Sequence, residues 1–540
     1  MGKYTIVAAD NIKGSGLDLL KKHFGDDSVV VRGKFAEAEL IDKIKDFDAL
    51  LVRSGTIVTR KAIEAAGSRL KLIGRAGAGT DNIDRQAATE KGIIVMNTPF
   101  GNTVSAAEQA IALIFATARN IARADALMQQ HKWEKKALVG TEVFNKVLGI
   151  VGLGKIGQHV AQVMKAAGMR VLAYDPLISA QRAAELTIEL CMDLDELLAK
   201  ADFVTFHTPL TDKTRNLLSA ARIARMKKGA RVVNCARGGI VDEAALADAV
   251  KSGHLAAAGF DVFSTEPMTE GPLFGVPDIT LAPHLGASTE EAEERCGLQI
   301  AQQAINYFET GRIVNAVNVT YSPDESLKAY AELAEVMGRI ATRLVNSAIY
   351  EISVTLSGDF FEGKDGGAIR SSAVKGILEE LDIECVNAIN ADYIAGQRGI
   401  RPDLSITKDL GHLRIEHVSL MVKGRRDDEE KVTYVAGTVY KDNRKRILQI
   451  DDADIEVRLD KHMLFLRYTD KPGIIGKVGT ILGARSINIE NMQVGILKKL
   501  NKASMVVGTS EPIPPEVLDE IGNDDLLKPV RINTVNDIET

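Results

Sequence analysis

The stretch Val147-Leu148-Gly149-Ile150-Val151-Gly152-Leu153-Gly154-Lys155-Ile156-Gly157 decides the reading of this chain. An apolar run enters a GxGxxG loop, and a helical pattern over 158–167 leaves it. Gly152 permits the tight turn, Gly154 lets a pyrophosphate approach the backbone, and Gly157 lets helix pack on strand. Lys155 and Ile156 open the helix, whose free N–H groups and partial positive charge suit phosphates. Asp175 ends the next apolar run, RVLAYD, 18 residues beyond Gly157. A carboxylate there accepts from ribose hydroxyls and repels a 2′-phosphate, which points to NAD rather than NADP. Taken singly, the loop could be only a turn and Asp175 only a strand end before Pro176. Together they specify a dinucleotide site.

Outward from the loop, DFVTFHTP (202–209), ARVVNCARG (230–238), AAAGFDVF (256–263) and ITLAPHLG (279–286) read as further strands with helical segments between most of them. That pattern predicts a doubly wound parallel sheet, whose ligands lie beyond the carboxyl ends of the strands. Three polar residues follow there in order: Arg237 in NCARGG, Glu266 in DVFSTEP and His284 in APHLGAS. Taking hydride from C2 of a 2-hydroxy acid requires a base for the hydroxyl proton, and imidazole titrates near neutrality. A carboxylate beside it favours imidazolium and fixes the tautomer. A guanidinium grips the substrate carboxylate with two N–H groups. The set therefore reads as His284 acid/base, Glu266 its partner and Arg237 the substrate anchor. Alone, each has a plainer reading as a solvated charge, a surface turn or a structural histidine. Their joint placement after the loop outweighs those readings.

The first 99 residues alternate the strand-like runs TIVAAD, VVVR, ALLVRS, LKLIGRAG and GIIVMNT with amphipathic helices, as parallel βα units do. One long helix is expected from Ser105 to about Gln130, and another over 289–310. Beyond NVTYSPDE (318–325) the strands alternate apolar and polar residues, as in YEISVTLSG and KVTYVAGTVY, which predicts an α+β unit with one sheet face covered. RRDDEEK (425–431) and KDNRKR (441–446) read as charged hairpins. The last ~80 residues give a βαββαβ, ferredoxin-like order.

With 540 residues, 45% hydrophobic and 26% charged, the chain is long enough for three or four globular domains of ordinary composition. A net charge of -6 gives no whole-chain reason to expect nucleic acid or an anionic membrane as partner, and neither is expected. Cys191, Cys235, Cys296 and Cys385 show no metal-ligand spacing, so no metal is expected and reduced thiols are. No signal peptide or membrane span is read, and the expected location is cytoplasmic.

GLGKIG, NCARGGIVDE, DVFSTEP and PHLGAST resemble the D-isomer-specific 2-hydroxyacid dehydrogenase family over residues 1–318. VRSGT, GRAGAGTDNID, MNTPFGNTVSAAE, KWEKK and HTPLT are similar to the branch of that family acting on 3-phosphoglycerate, whose long form adds an intervening domain and an amino-acid-binding ACT domain. The resemblance implies a flavodoxin-like substrate domain (1–99 and 287–318) with the Rossmann-type NAD domain (100–286) inserted. It also implies an intervening domain (319–455) and an ACT domain (456–540). Arg53, Ser54, Gly55, Arg75, Asn102, Lys135 and Arg237 become substrate candidates, with Arg53, Arg75 and Lys135 for the phosphate. His207, Thr208, Pro209, Cys235, Ala236, Asp261 and Gly286 join the cofactor side, and Arg237 and His284 also border it. Ala78 stands where some members have Thr. Tyr468, Asp470 and Asn488 are candidates for a regulatory L-serine, and a homo-oligomer, expected to be a tetramer, is implied. Lys441, Arg444, Lys445 and Arg446 suggest either a second control site for an anion or, slightly favoured, a solvated hairpin tip. The rivals are a glycerate- or lactate-type dehydrogenase, a formate dehydrogenase, disfavoured because Gln is expected there in place of Glu266, and a non-catalytic NAD or amino-acid sensor.

Overall fold

Apolar runs between helical segments build two parallel sheets. In the computed structural model, which describes residues 4–319, 321, 324–383, 385–497 and 502–538, the first contains β1 (Ile6–Ala8), β2 (Val29–Val31), β3 (Ala49–Val52), β4 (Leu72–Arg75) and β5 (Ile94–Asn97). Their order is β2-β1-β3-β4-β5. β1, β3 and β5 are buried throughout, because helices cover both faces. The helix Glu290–Thr310 returns to this sheet late in the chain: its Cys296, Ile300, Ala301 and Ala304 share a core with Ile6, Leu51, Leu72 and Ile94. Each fully buried Ile or Leu contributes about 2 kcal/mol, so a segment distant in sequence closes the lobe.

The second sheet contains β6 (Val147–Val151), β7 (Arg170–Tyr174), β8 (Glu189–Leu190), β9 (Phe203–Phe206), β10 (Ala230–Asn234), β11 (Leu255–Phe260) and β12 (Ile279–Leu281). The order β12-β11-β10-β9-β6-β7-β8 reverses direction at β6, so the glycine loop leaves from the switch point. The single helix expected from Ser105 to about Gln130 is instead two, Thr103–Arg119 and Ile121–Gln129. They break at Asn120, which takes φ 56. Asn adopts left-handed backbone at low cost; nothing in the apolar periodicity marks the break.

The third sheet, β13 (Ala348–Ser357), β14 (Arg401–Thr407), β15 (His417–Arg426), β16 (Glu429–Val439), β17 (Lys445–Ile450) and β18 (Ala453–Arg458), runs β14-β13-β15-β16-β17-β18 and is antiparallel except for β13 with β14. RRDDEEK forms a two-residue hairpin in which Asp427 and Asp428 both have positive φ, as a type I′ turn requires. The fourth sheet, β19 (His462–Thr469), β20 (Ile489–Leu497), β21 (Lys502–Thr509) and β22 (Arg531–Val535), has order β20-β21-β19-β22. With the helices Ile474–Ala484 and Pro515–Asn523 it is the expected βαββαβ unit.

The boundary expected between 455 and 456 falls inside β18, which pairs with β17, so the chain passes to the last unit only after Arg458. The boundary segment 318–325 includes residues 320, 322 and 323, which lie outside the described residues. Met463, Phe465, Val506, Val535 and Ile538 of the last unit share one core with Leu333, Met337 and Val345 of the third-sheet unit. Among the described residues, no helix is long and apolar enough to cross a membrane.

Candidate active site

The carboxyl ends of both parallel sheets face one cleft. Arg53 follows β3, Arg75 ends β4, Asp175 follows β7, His207 follows β9, and Arg237, Asp261 and His284 follow β10, β11 and β12. Arg237 Nε reaches across the cleft to Asp81 Oδ2 at 3.0 Å, so the two lobes meet at the site.

His284 Nδ1 and Glu266 Oε2 are 2.6 Å apart. That bond calls for a proton on Nδ1 and leaves the Nε2 lone pair free to act as a base. Glu266 is itself held, since Oε1 accepts from the Phe263 N–H at 3.0 Å. Burial pushes the Glu266 carboxyl up, but His284, the Phe263 N–H and the Arg237 charge outweigh it and hold it below the ordinary carboxylate range. His284 takes φ 57, a costly backbone for this residue type. Asp261 enforces it by accepting from the N–H groups of Leu285 (2.7 Å) and Gly286 (2.8 Å), with Gln109 Nε2 at 3.2 Å. Asp261, implied on the cofactor side by resemblance, thus commits its carboxylate to the histidine loop. Burial raises its carboxyl, against those same bonds.

On the facing lobe, Asp10 organises the VRSGT loop: Oδ2 accepts from the N–H groups of Arg53 (2.8 Å) and Thr56 (3.0 Å), and Oδ1 from Thr56 Oγ1 at 2.6 Å. A Cβ on Gly55 would come within 2.9 Å of Asp10 Oδ1, while Ser54 is exposed. Asn82 Nδ2 bonds the carbonyls of Arg53 (2.9 Å) and Thr56 (2.7 Å), and its Oδ1 accepts from Arg75 Nε at 3.3 Å. Burial lowers the Arg75 guanidinium to about 10, and Arg53 and Arg237 add repulsion against the pull of Cys296 and Asp10. It is still a cation at neutral pH. Arg75 therefore borders the cleft with two further arginines whose charges it feels, an arrangement in which an anion gains most. Lys135 lies on the exposed turn Lys135–Leu138 rather than at a strand end of either parallel sheet. That turn follows Ile121–Gln129, a helix with no buried residue, which Arg123 ties to Asp278 at 2.8 Å.

The dinucleotide residues have the required shape. Gly152 takes φ 96, and a Cβ on Gly157 would lie 2.2 Å from the Gly152 carbonyl oxygen. A Cβ on Gly154 would meet nothing within 4 Å, which leaves room for phosphate beside the N-terminus of Lys155–Ala166. Lys155 lies over the Phe100 ring at 3.7 Å, and Ile156 packs against the sheet core. Asp175 Oδ2 accepts from Leu153 N–H at 2.8 Å and Oδ1 from Leu177 N–H at 2.9 Å, so it also fixes the glycine loop. Burial depresses the imidazole of His207 to about 4 and raises the Cys235 thiol. Ala236 is buried, and the Pro209 carbonyl accepts from Thr214 Oγ1 at 2.6 Å. Thr208 Oγ1 and Asn102 Oδ1 are buried with no hydrogen-bond partner among the described residues. Such orphaned atoms are costly without a ligand to bond, and the residues fit a dinucleotide and a polar substrate.

In the last unit, Tyr468 is core rather than ligand-facing: it is 3% exposed, and burial pushes its hydroxyl up to about 12. β19 alternates faces, which turns Tyr468 inward, whereas Asp470 and Asn488 are exposed just beyond β19 and just before β20. In the basic hairpin, Arg444 pairs with Asp442 at 2.6 Å, and Lys445, already within β17, pairs with Glu332 at 2.7 Å. Sequence reasoning missed Asp10, Asp81, Asn82 and Glu293. Asp81 and Asn82 stand in GTDNID, where their polarity was visible but their partners were not.

Fold and site together define a dinucleotide-dependent dehydrogenase working in a cleft between two parallel-sheet lobes. The models that match are D-isomer specific 2-hydroxyacid dehydrogenase, NAD binding domain (residues 111–286), D-3-phosphoglycerate dehydrogenase intervening domain (326–451) and ACT domain (462–524). The chain is 42% identical to D-3-phosphoglycerate dehydrogenase of Synechocystis sp. over 96% of this chain and 92% of that one. It is 39% identical to that of Methanocaldococcus jannaschii over 91% and 93%. The chain belongs to the D-3-phosphoglycerate dehydrogenase family, and it is an NAD-dependent oxidoreductase. Among solved structures, the TT0316 protein from Thermus thermophilus superposes with TM-score 0.53 at 33% identity, covering 58% of this chain and 99% of that one. D-lactate dehydrogenase from Aquifex aeolicus, complexed with NAD and lactic acid, does so with TM-score 0.50 at 25% identity, covering 57% and 96%.

Proposed function

We propose that this protein oxidises 3-phospho-D-glycerate to 3-phosphohydroxypyruvate, the first step of L-serine biosynthesis. The observation that carries this is the His284–Glu266 pair, 2.6 Å apart, in a cleft that also gathers Arg53, Arg75 and Arg237. His284 Nε2 takes the C2 hydroxyl proton, and Glu266 stabilises the imidazolium that results. Arg237 orients the substrate carboxylate, and the Arg53 and Arg75 charges favour the phosphate. Bound NAD would supply the hydride acceptor, so that the C2–OH that loses its proton to His284 and its hydride to the nicotinamide would become C2=O. Gly152, Gly154, Gly157 and Asp175 would hold the cofactor, and Thr208 Oγ1 and Asn102 Oδ1 would gain partners. NADH formation with 3-phosphoglycerate, compared with D-glycerate and D-lactate, tests the reading; equal activity without the phosphate would sink it.

We further propose four functional units, with the substrate unit split as 1–99 and 287–318 around the NAD unit. L-serine is the proposed effector, bound by Asp470 and Asn488 between paired ACT units. The family relationship and the exposure of both residues support this. A homo-oligomer, expected to be a tetramer in the cytoplasm, is supported by Ile121, Met128, Trp133, Val139 and Phe144, apolar side chains exposed on one segment. Assays with added serine and sedimentation of the full chain test these points.

A further inference from the structure

Two guanidiniums of the proposed substrate site already hold carboxylates of the protein. Arg237 Nε donates to Asp81 Oδ2 at 3.0 Å, and its Nη1 donates to the carbonyl of Ala236 at 2.6 Å. A two-pronged bond to a substrate carboxylate needs two N–H groups along one guanidinium edge. The Ala236 carbonyl is fixed next to Arg237 in the chain, so the group that must give way is Asp81. Its side chain is 72% exposed and can turn into solvent. Arg53 Nη2 donates to Glu293 Oε1 at 2.5 Å, and the pair borders a cavity of about 230 Å³ that Lys13, Glu290 and Glu294 also line. Arg75 differs: its hydrogen bonds go to Asn82 Oδ1 and the Ala76 carbonyl, both neutral.

We propose that Asp81 and Glu293 are place-holders for the two anionic ends of the substrate, Asp81 standing at Arg237 where the carboxylate binds and Glu293 at Arg53 where the phosphate binds. This rests on the phosphoglycerate reading above. The place-holders keep two arginines oriented and neutralised between turnovers. They also make the two ends of the substrate separable. An acid without phosphate displaces Asp81 alone, whereas a phosphorylated acid displaces both carboxylates.

The test compares full-length wild type, D81N and E293Q in steady-state kinetics with 3-phosphoglycerate and D-glycerate at saturating NAD. Breaking a partly exposed ion pair is modest in cost, so D81N lowers KM about 2- to 5-fold for both acids. E293Q lowers it by a similar factor for 3-phosphoglycerate and leaves D-glycerate unchanged. A raised or unaltered KM in D81N, or equal effects of E293Q on the two acids, overturns the assignment. If wild type fails to turn over 3-phosphoglycerate, it is the phosphoglycerate reading that falls. The place-holders are then tested without chemistry, through the protection that inorganic phosphate and oxalate give against thermal unfolding. E293Q should strengthen protection by phosphate only and D81N protection by oxalate only; the reverse, or no difference, refutes them.

Discussion

His284 bears the chemical demand, and the residues around it show how a strained position is held. Its left-handed backbone is bracketed by Asp261 on the following N–H groups, and its ring by Glu266. Replacing His284 with Ala should lower kcat by about 10²–10⁴-fold, with NAD affinity retained when followed by cofactor fluorescence. Glu266→Gln keeps an acceptor for the Phe263 N–H but loses the charge, so kcat should fall while the melting temperature barely moves. His207 gives a pH prediction. Burial depresses its imidazole from about 6.5 to about 4, so protonation favours the unfolded chain. The stability it confers is fully present above pH 6.5 and is lost as pH falls toward 4. Allowing for partial solvent screening, the loss is about 2 kcal/mol, and His207→Gln should remove that part of the acid sensitivity in denaturant titrations at pH 7 and pH 5.

Among local elements, the loop from Gly79 to Asp84 matters most. Asn82 ties the backbone of the VRSGT loop to Arg75 through bonds of 2.9, 2.7 and 3.3 Å. Asn82→Ala orphans two carbonyls, which costs about 1–3 kcal/mol. It should also raise KM for 3-phosphoglycerate more than it lowers kcat; an unchanged KM would show that the loop does not position the arginines. The strands at the site were legible because buried parallel strands read as continuous apolar runs. The break at Asn120 was not, because an Asn inside an apolar periodicity looks like an exposed helical position. Arg237 was recognisable from NCARGG, yet its partner Asp81 lies 156 residues away in the chain and on the other lobe.

At the scale of the molecule, the two C-terminal units are tied in two ways. The ACT-like sheet buries Met463, Phe465, Val506 and Val535 in the core of the preceding unit, and Arg339 bonds the Asp537 carbonyl at 3.1 Å. With about 2 kcal/mol for each buried apolar side chain, the two units should unfold in a single calorimetric transition; two resolved transitions would contradict this. That combined body touches the substrate lobe through Asn387, whose Nδ2 bonds the Gly92 carbonyl at 2.8 Å, and through the Tyr393 hydroxyl on Glu90. Glu90 closes the helix Arg85–Glu90, which begins just after Asn82. Glu90→Ala should therefore weaken any serine effect on KM while leaving kcat without serine within about twofold, a difference of under ~0.5 kcal/mol.

The amino-acid sequence by itself determined the parallel sheets, the dinucleotide loop, Asp175, the ordered Arg237, Glu266 and His284, and the βαββαβ end. These follow from local periodicity and from residue types whose chemistry is fixed wherever they sit. Only the tertiary structure decided that Asp10 and Asn82 build the arginine loop, that Asp261 serves the histidine backbone, that Tyr468 is core, and that the last two units share one core. Each depends on contacts between separate segments, which are set by how sheets and helices pack rather than by any pattern within a single segment.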